Sequence, residues 1–173
     1  MTSLILPDIA LSVRQPWAWA IVMGFKPVEN RNGHSIALGR MTPGKIAIHA
    51  SKGMTRDEYE EAAVFMASMG VSCPPPAALI RGAIIGGTTV TEIVTSMDSR
   101  WFFGPRGLLL ANSFAVDPIP AKGELGYFKW KQGGEIDQPS PWMTAWPGDF
   151  APGRKTITGK RVAAAPLFDK EPK

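Results

Sequence analysis

The stretch from Gly82 to Thr95 constrains the fold more than any other part of the chain. Ile84, Ile85, Thr88, Thr89, Val90, Thr91, Ile93 and Val94 are all β-branched. Such side chains lose rotamer freedom in a helix and pack well on a pleated surface, so a long strand is expected. Gly86-Gly87 interrupts it, and glycines inside a strand mark the bends at which a sheet turns a barrel corner. Glu92 shares a parity with Val90 and Val94, so it is expected to point inward. Sixteen Pro and eighteen Gly in 173 residues supply more turns than a helix bundle uses.

Other strands follow from pattern. Ile9 to Val13 reads as a first strand. Lys45 to Ala50 alternates, with Ile46 and Ile48 on one face and Ala47 and His49 on the other, as in a half-buried strand. Leu108 to Ala111 forms another, and Phe114 to Pro120 reads as an edge or irregular strand because Pro118 and Pro120 donate no ladder bond. Tyr127 to Trp130 is the last. Residues 32–44, with Asn32-Gly33 and Pro43-Gly44, read as a long loop.

Two helices are marked. Pro16 suits a helix start and Gly24 a helix stop, and the apolar run Trp17 to Met23 between them predicts a short buried helix. In the second, Thr55 and Glu58 make a capping box, Tyr59, Ala62, Ala63, Met66 and Met69 recur at helical spacing, and Gly70 ends the run. That methionine stripe reads as core. Pro74 to Pro76 forms a stiff connector.

The strands and inserted helices predict an α+β fold, a small mixed barrel of five to six strands with two or three helices packed on it, spanning residues 1–130. Residues 131–173 read as an extended, Pro/Gly-rich C-terminal arm. It still carries Trp142, Trp146, Phe150 and Phe168, so it is expected to pack on the domain or on a second subunit as a homo-oligomer contact. Arg154, Lys155, Lys160 and Arg161 make part of it basic.

Composition removes several function classes. No apolar run approaches the roughly 20 residues of a membrane span, and no secretory leader is visible, so no membrane partner is expected. One cysteine, Cys73, rules out an internal disulfide framework and fits a reducing cytoplasm. With only His34 and His49 beside it, no Cys/His metal set assembles, and no cofactor is expected. A net charge of +4 permits an anionic partner, which must then be held by a local patch.

Candidate site residues gather around the first helix. Arg14 and Gln15 precede it, Trp17 lies in it, and Gly24, Lys26, Glu29, Asn30 and Arg31 follow. Two readings stand for this cluster. Glu29 either forms a salt bridge with Lys26 or Arg31 that holds the loop closed, or belongs with them to a binding cleft. His49 and Lys52 at a strand end, and Arg106 in Gly104-Pro105-Arg106-Gly107, are further candidates.

Gly24, Lys26, Glu29 and Arg31 stand as GFKPVENR, which resembles the GxKxxExR signature of the ASCH family. SVRQPWA, GKIAIHAS, GAIIG and PAKGELGYF look like the blocks of a bacterial or phage branch of that family, and the resemblance covers residues 9–130. It implies a PUA-like β-barrel, a fold that RNA-modifying enzymes use to bind RNA. It also implies a cleft for RNA or a nucleotide lined by Lys26, Glu29 and Arg31, with Gly24 in a tight turn. RNA is then the expected partner, ahead of DNA, with Trp17 or Trp101 as stacking faces.

Whether such a chain is an enzyme stays open. One ASCH branch hydrolyses acetylated cytidine with a threonine in place of Glu29 and the lysine as its partner, and this chain departs there. Glu29 stabilises the charged form of Lys26, yet could itself act as a general base. Other ASCH proteins are proposed ribonucleases. A modified-nucleoside hydrolase or a ribonuclease is thus the second reading, and a protein-interaction domain the third.

Overall fold

The computed structural model describes residues 4–147. In order it runs β1 (Ile9–Val13), α1 (Trp17–Val22), β2 (Val28–Arg31), α2 (Gly33–Leu38), β3 (Gly44–Ala50), α3 (Arg56–Ser68), a 3₁₀ turn (Pro76–Ala78), β4 (Ala83–Val94), β5 (Arg106–Pro120), β6 (Tyr127–Lys129) and α4 (Pro141–Thr144). The strands form one mixed sheet in the order β2-β5-β4-β3-β1-β6. β1 and β3 run parallel, and the other neighbours are antiparallel.

The sheet curls into a half-barrel, as expected of a small PUA-like α+β fold. Its concave side holds Leu11, Val13, Ile21, Ile46, Ile48, Ala83, Val90 and Leu108. β2 and β6 are its two edges, and α2 lies between them. The Tyr127 N–H donates to the Gly39 carbonyl at 2.8 Å, and the Tyr127 hydroxyl donates to the Thr42 carbonyl at 2.8 Å. Gly39 and Gly126 touch backbone to backbone, close enough that a Cβ on Gly126 would stand 2.4 Å from the Gly39 Cα.

Several elements differ from the sequence reading. Residues 32–44 hold α2, started by Asn32, whose side chain accepts from the Ser35 N–H. No residue of α2 is buried, so no apolar periodicity announces it. The segments Leu108–Ala111 and Phe114–Pro120 are one strand, β5. Asn112 stands between them at φ 54°, in a stretch where the register with β4 shifts, and this bulge is what broke the pattern. The Phe114–Pro120 half does lie beyond the reach of β2, which pairs only with Arg106 to Leu109. Glu92 is exposed, because another register shift falls between Val90 and Glu92. β3 is buried on both faces from Ile46 to Ala50, since on its second face Ala47 packs in one cluster with Ala10, Ile84, Ala121 and Phe128. Four α-helices are described where two or three were expected; α2 and α4 have six and four residues.

The local signals around α3 read correctly. Thr55 accepts from the Glu58 N–H, the Glu58 carboxylate accepts from the Thr55 N–H, and Tyr59, Ala62, Ala63 and Met66 are buried. The described part of the C-terminal arm packs on this same domain. Asp137 meets buried Arg81 at 2.7 Å, Met143 is buried with Met54, Tyr59 and Leu79, and Trp142 and Trp146 lie against the Tyr59 ring. Phe150, Phe168 and the basic run Arg154, Lys155, Lys160 and Arg161 lie outside the described residues, as does any contact between subunits through them. No helix among those described is long and apolar enough to cross a membrane.

Candidate functional site

The end of α1 fixes the site's first member. Gly24, at φ 81°, lets the chain reverse so that the N–H groups of Phe25 and Lys26 both reach the Ala20 carbonyl. Lys26 is thereby turned inward, and its side chain is only 3% exposed. The ammonium donates to the Val28 carbonyl and, at 2.8 Å, to the Glu29 carboxylate. It also lies 5.9 Å from the centroid of the Trp17 ring, a favourable position for a cation.

Glu29 sits between two cations. One oxygen takes Lys26, and the other lies 3.2 Å from the Arg31 guanidinium. Arg31 reaches across the mouth of the half-barrel and donates to the Ser12 carbonyl of β1 at 3.1 Å. Side-chain exposure rises along this chain of charge, from 3% at Lys26 to 11% at Glu29 and 22% at Arg31. Burial strengthens such pairs but makes any break in them costly. The Arg31 Nε is buried and has no hydrogen-bond partner among the described residues. Tyr127 is close enough for the Arg31 charge to act on its phenol, although burial is the larger influence and pushes that phenol up from its ordinary range.

Across the strand pair, Arg31 stands opposite Arg106. Arg106 is exposed, and a Cβ on Gly33 would lie 3.7 Å from its Nε, so its stem runs past the start of α2. The turn before Arg106 is held by Asn30. Its side-chain amide donates to the Trp101 carbonyl at 2.9 Å, and its carbonyl oxygen accepts from the N–H groups of Phe103 and Gly104. Asn30 therefore builds the wall that carries Arg106.

The other sequence candidates lie elsewhere. Gln15 is 2% exposed, donates to the Ile80 carbonyl and accepts from the Trp19 N–H, so it braces α1. Arg14 faces α3, where it pairs with Glu58 at 2.6 Å and lies over Gly53. That guanidinium holds the Glu58 carboxyl below its ordinary range. Lys52 is exposed beyond β3, with its stem on Gly82. His49 packs on Phe128, on the sheet face opposite Leu11 and Val13. Its ring meets the Ser12 hydroxyl at 3.0 Å and the Ala121 carbonyl at 2.8 Å. A carbonyl can only accept, so Nε2 carries the proton and Nδ1 accepts from Ser12. Burial lowers the His49 pKa and keeps the ring neutral. Trp101 is 5% exposed and stands edge-on to Trp17 and Phe65, so it serves the core instead of offering a stacking face.

Sequence reasoning passed over Ser12, whose carbonyl receives Arg31. It also passed over Arg81, which is buried and joins the Lys52 carbonyl to Asp137 and Gln138. Neither residue has a local signal, because each acts through partners distant in the chain. Among the described residues, no group of three or more His, Cys, Asp or Glu converges on a point.

Among solved structures, the chain matches ASCH from Zymomonas mobilis, with a TM-score of 0.35 and 15% identity over 79% of this chain and 90% of that one. The chain is similar to ASCH domains. Two single-substitution mutants of the same Zymomonas mobilis ASCH protein also match, with TM-scores of 0.35 and 0.36 and identities of 17% and 18%. They cover 65% and 66% of this chain, and 74% and 77% of theirs. No family model and no curated protein matches the chain. Lys26, Glu29 and Arg31 form one continuous ion-paired set.

Proposed function

We propose that this chain is a nucleic-acid or nucleotide-binding module whose ligand meets the outer end of the Lys26–Glu29–Arg31 set. The observation that carries this reading is the gradient of burial. Lys26 is spent inside on Val28 and Glu29, whereas Arg31 is 22% exposed and stands opposite the exposed Arg106. An Arg fork matches phosphate oxygens in geometry as well as charge. The resemblance of GFKPVENR to the ASCH signature supports a nucleic-acid ligand and puts RNA ahead of DNA.

Lys26 and Glu29 support the ligand from behind under this reading. Glu29 anchors Arg31, and Lys26 offsets the charge of Glu29. The hydrolase reading needs one of the two to handle a proton at the reacting atom. Both are instead engaged with each other, and Lys26 lies almost wholly inside. The binding reading is therefore the better supported of the two.

Fluorescence anisotropy with a labelled single-stranded RNA at low salt tests the proposal. Saturable binding that Arg31→Ala weakens is the expected result, with DNA of the same sequence binding less tightly. Absence of any binding at low salt contradicts it.

A further inference from the structure

The register of β2 and β5 sets two arginines directly opposite each other. Directly opposed residues of antiparallel strands project from the same face with Cβ atoms about 4.5–5.5 Å apart, and like charges so placed repel. Arg31 shares the single carboxylate of Glu29 with Lys26. No ion pair engages Arg106 among the described residues. Three cations against one carboxylate leave two positive charges, and the burial gradient puts the excess at the outer end.

The surroundings hold Arg31 and the backbone turn that carries Arg106 in place. Asn30 fixes the turn leading to Arg106, and the Ser12 carbonyl and Glu29 fix Arg31 from two sides. This edge of the sheet therefore presents net positive charge, with Arg31 fixed and the Arg106 fork exposed to solvent.

We infer that Arg31 and Arg106 together receive a phosphomonoester, the phosphate at the end of a nucleotide chain. A terminal phosphate carries about −1.5 to −2 charges at neutral pH, which matches the local excess. A phosphodiester inside a strand carries one negative charge and leaves the second guanidinium unmet. The Arg106 fork, which no ion pair engages, and the Arg31 donors left over by Glu29 and Ser12 can together engage the three free oxygens that only a monoester presents. This inference rests on the nucleotide-binding reading and adds the class of group recognised.

The experiment compares hexaribonucleotides of one sequence bearing a 5′-phosphate, a 3′-phosphate or hydroxyls at both ends. One phosphorylated form is expected to bind at least about tenfold tighter than the hydroxyl form, the effect of one added charged contact set. Arg106→Gln is expected to remove that advantage, weakening the phosphorylated form about tenfold more than the hydroxyl form. Arg106→Lys should restore only part of it, and both variants should melt as the unaltered protein does, because Arg106 is exposed. Equal binding of all three oligonucleotides overturns the phosphomonoester inference and leaves the binding module standing. An advantage that survives Arg106→Gln also overturns it. No binding of any of the three overturns both.

Discussion

Lys26 Nζ lies 2.8 Å from the Glu29 carboxylate, in a position where the lysine side chain is 3% exposed. An ion pair so placed is worth little net of its desolvation, but removing one partner strands the other. Glu29→Ala is therefore expected to destabilise the fold by about 3–5 kcal/mol, and Lys26→Ala by a similar amount. The double variant Lys26→Met with Glu29→Leu should cost less than either single change, because neither buried charge is stranded and Arg31, the most exposed of the three, keeps the Ser12 carbonyl. Urea unfolding of the variants checks this, and additive costs would show that the two residues do not act as a pair.

Stability should fall on mild acidification because of His49. Burial lowers its pKa in the folded state below the ordinary 6.5 of a free imidazole. The unfolded chain takes up the proton first as pH drops, so the contribution is complete above about 6.5 and is lost as pH falls from there toward the folded pKa. Protonation also takes away the lone pair with which Nδ1 accepts from Ser12. Urea midpoints should be flat in this respect above neutrality and decline below it. In His49→Gln, whatever its overall stability, that part of the decline should be missing.

Gly126 is expected to resist substitution more than an exposed turn glycine. It sits at φ 69°, and a Cβ there would meet the Gly39 backbone at 2.4 Å. Gly126→Ala must separate α2 from β6 and adopt a backbone that side chains rarely take, so a loss of more than about 1 kcal/mol is expected. Gly134, at φ 76° with open space around it, makes the control. Thermal melting of the two alanine variants separates crowding from conformation, because only Gly126→Ala suffers both.

Much of this architecture is legible in the sequence where its determinants are local. The Thr55–Glu58 box and the stripe from Tyr59 to Met66 declare α3 within a dozen residues, and Gly24 declares the turn that aims Lys26. The β-branched run declares β4. Other features depend on partners far along the chain. Asn30 looks like part of a binding motif, yet its side chain is consumed by a turn 71 to 74 residues away. His49 looks half-exposed from alternation alone, because Phe128 and Ala121, which bury it, lie at the other end of the domain. The continuity of β5 is hidden by the bulge at Asn112, and α2 buries nothing that would give it a period. Within the site, the pairing of Glu29 with both neighbours was readable, and the inward turn of Lys26 was not.

The central claim is that Arg31 and Arg106 meet phosphate. Its most direct test is the slope of log affinity against log salt for a single-stranded RNA. Each phosphate contact releases counter-ions and contributes about 0.7 to that slope on a single strand. Arg31→Ala and Arg106→Ala should each weaken binding and flatten the slope by about that amount, with the double variant flatter still. Slopes that stay parallel to that of the unaltered protein would contradict the account, whatever the change in affinity.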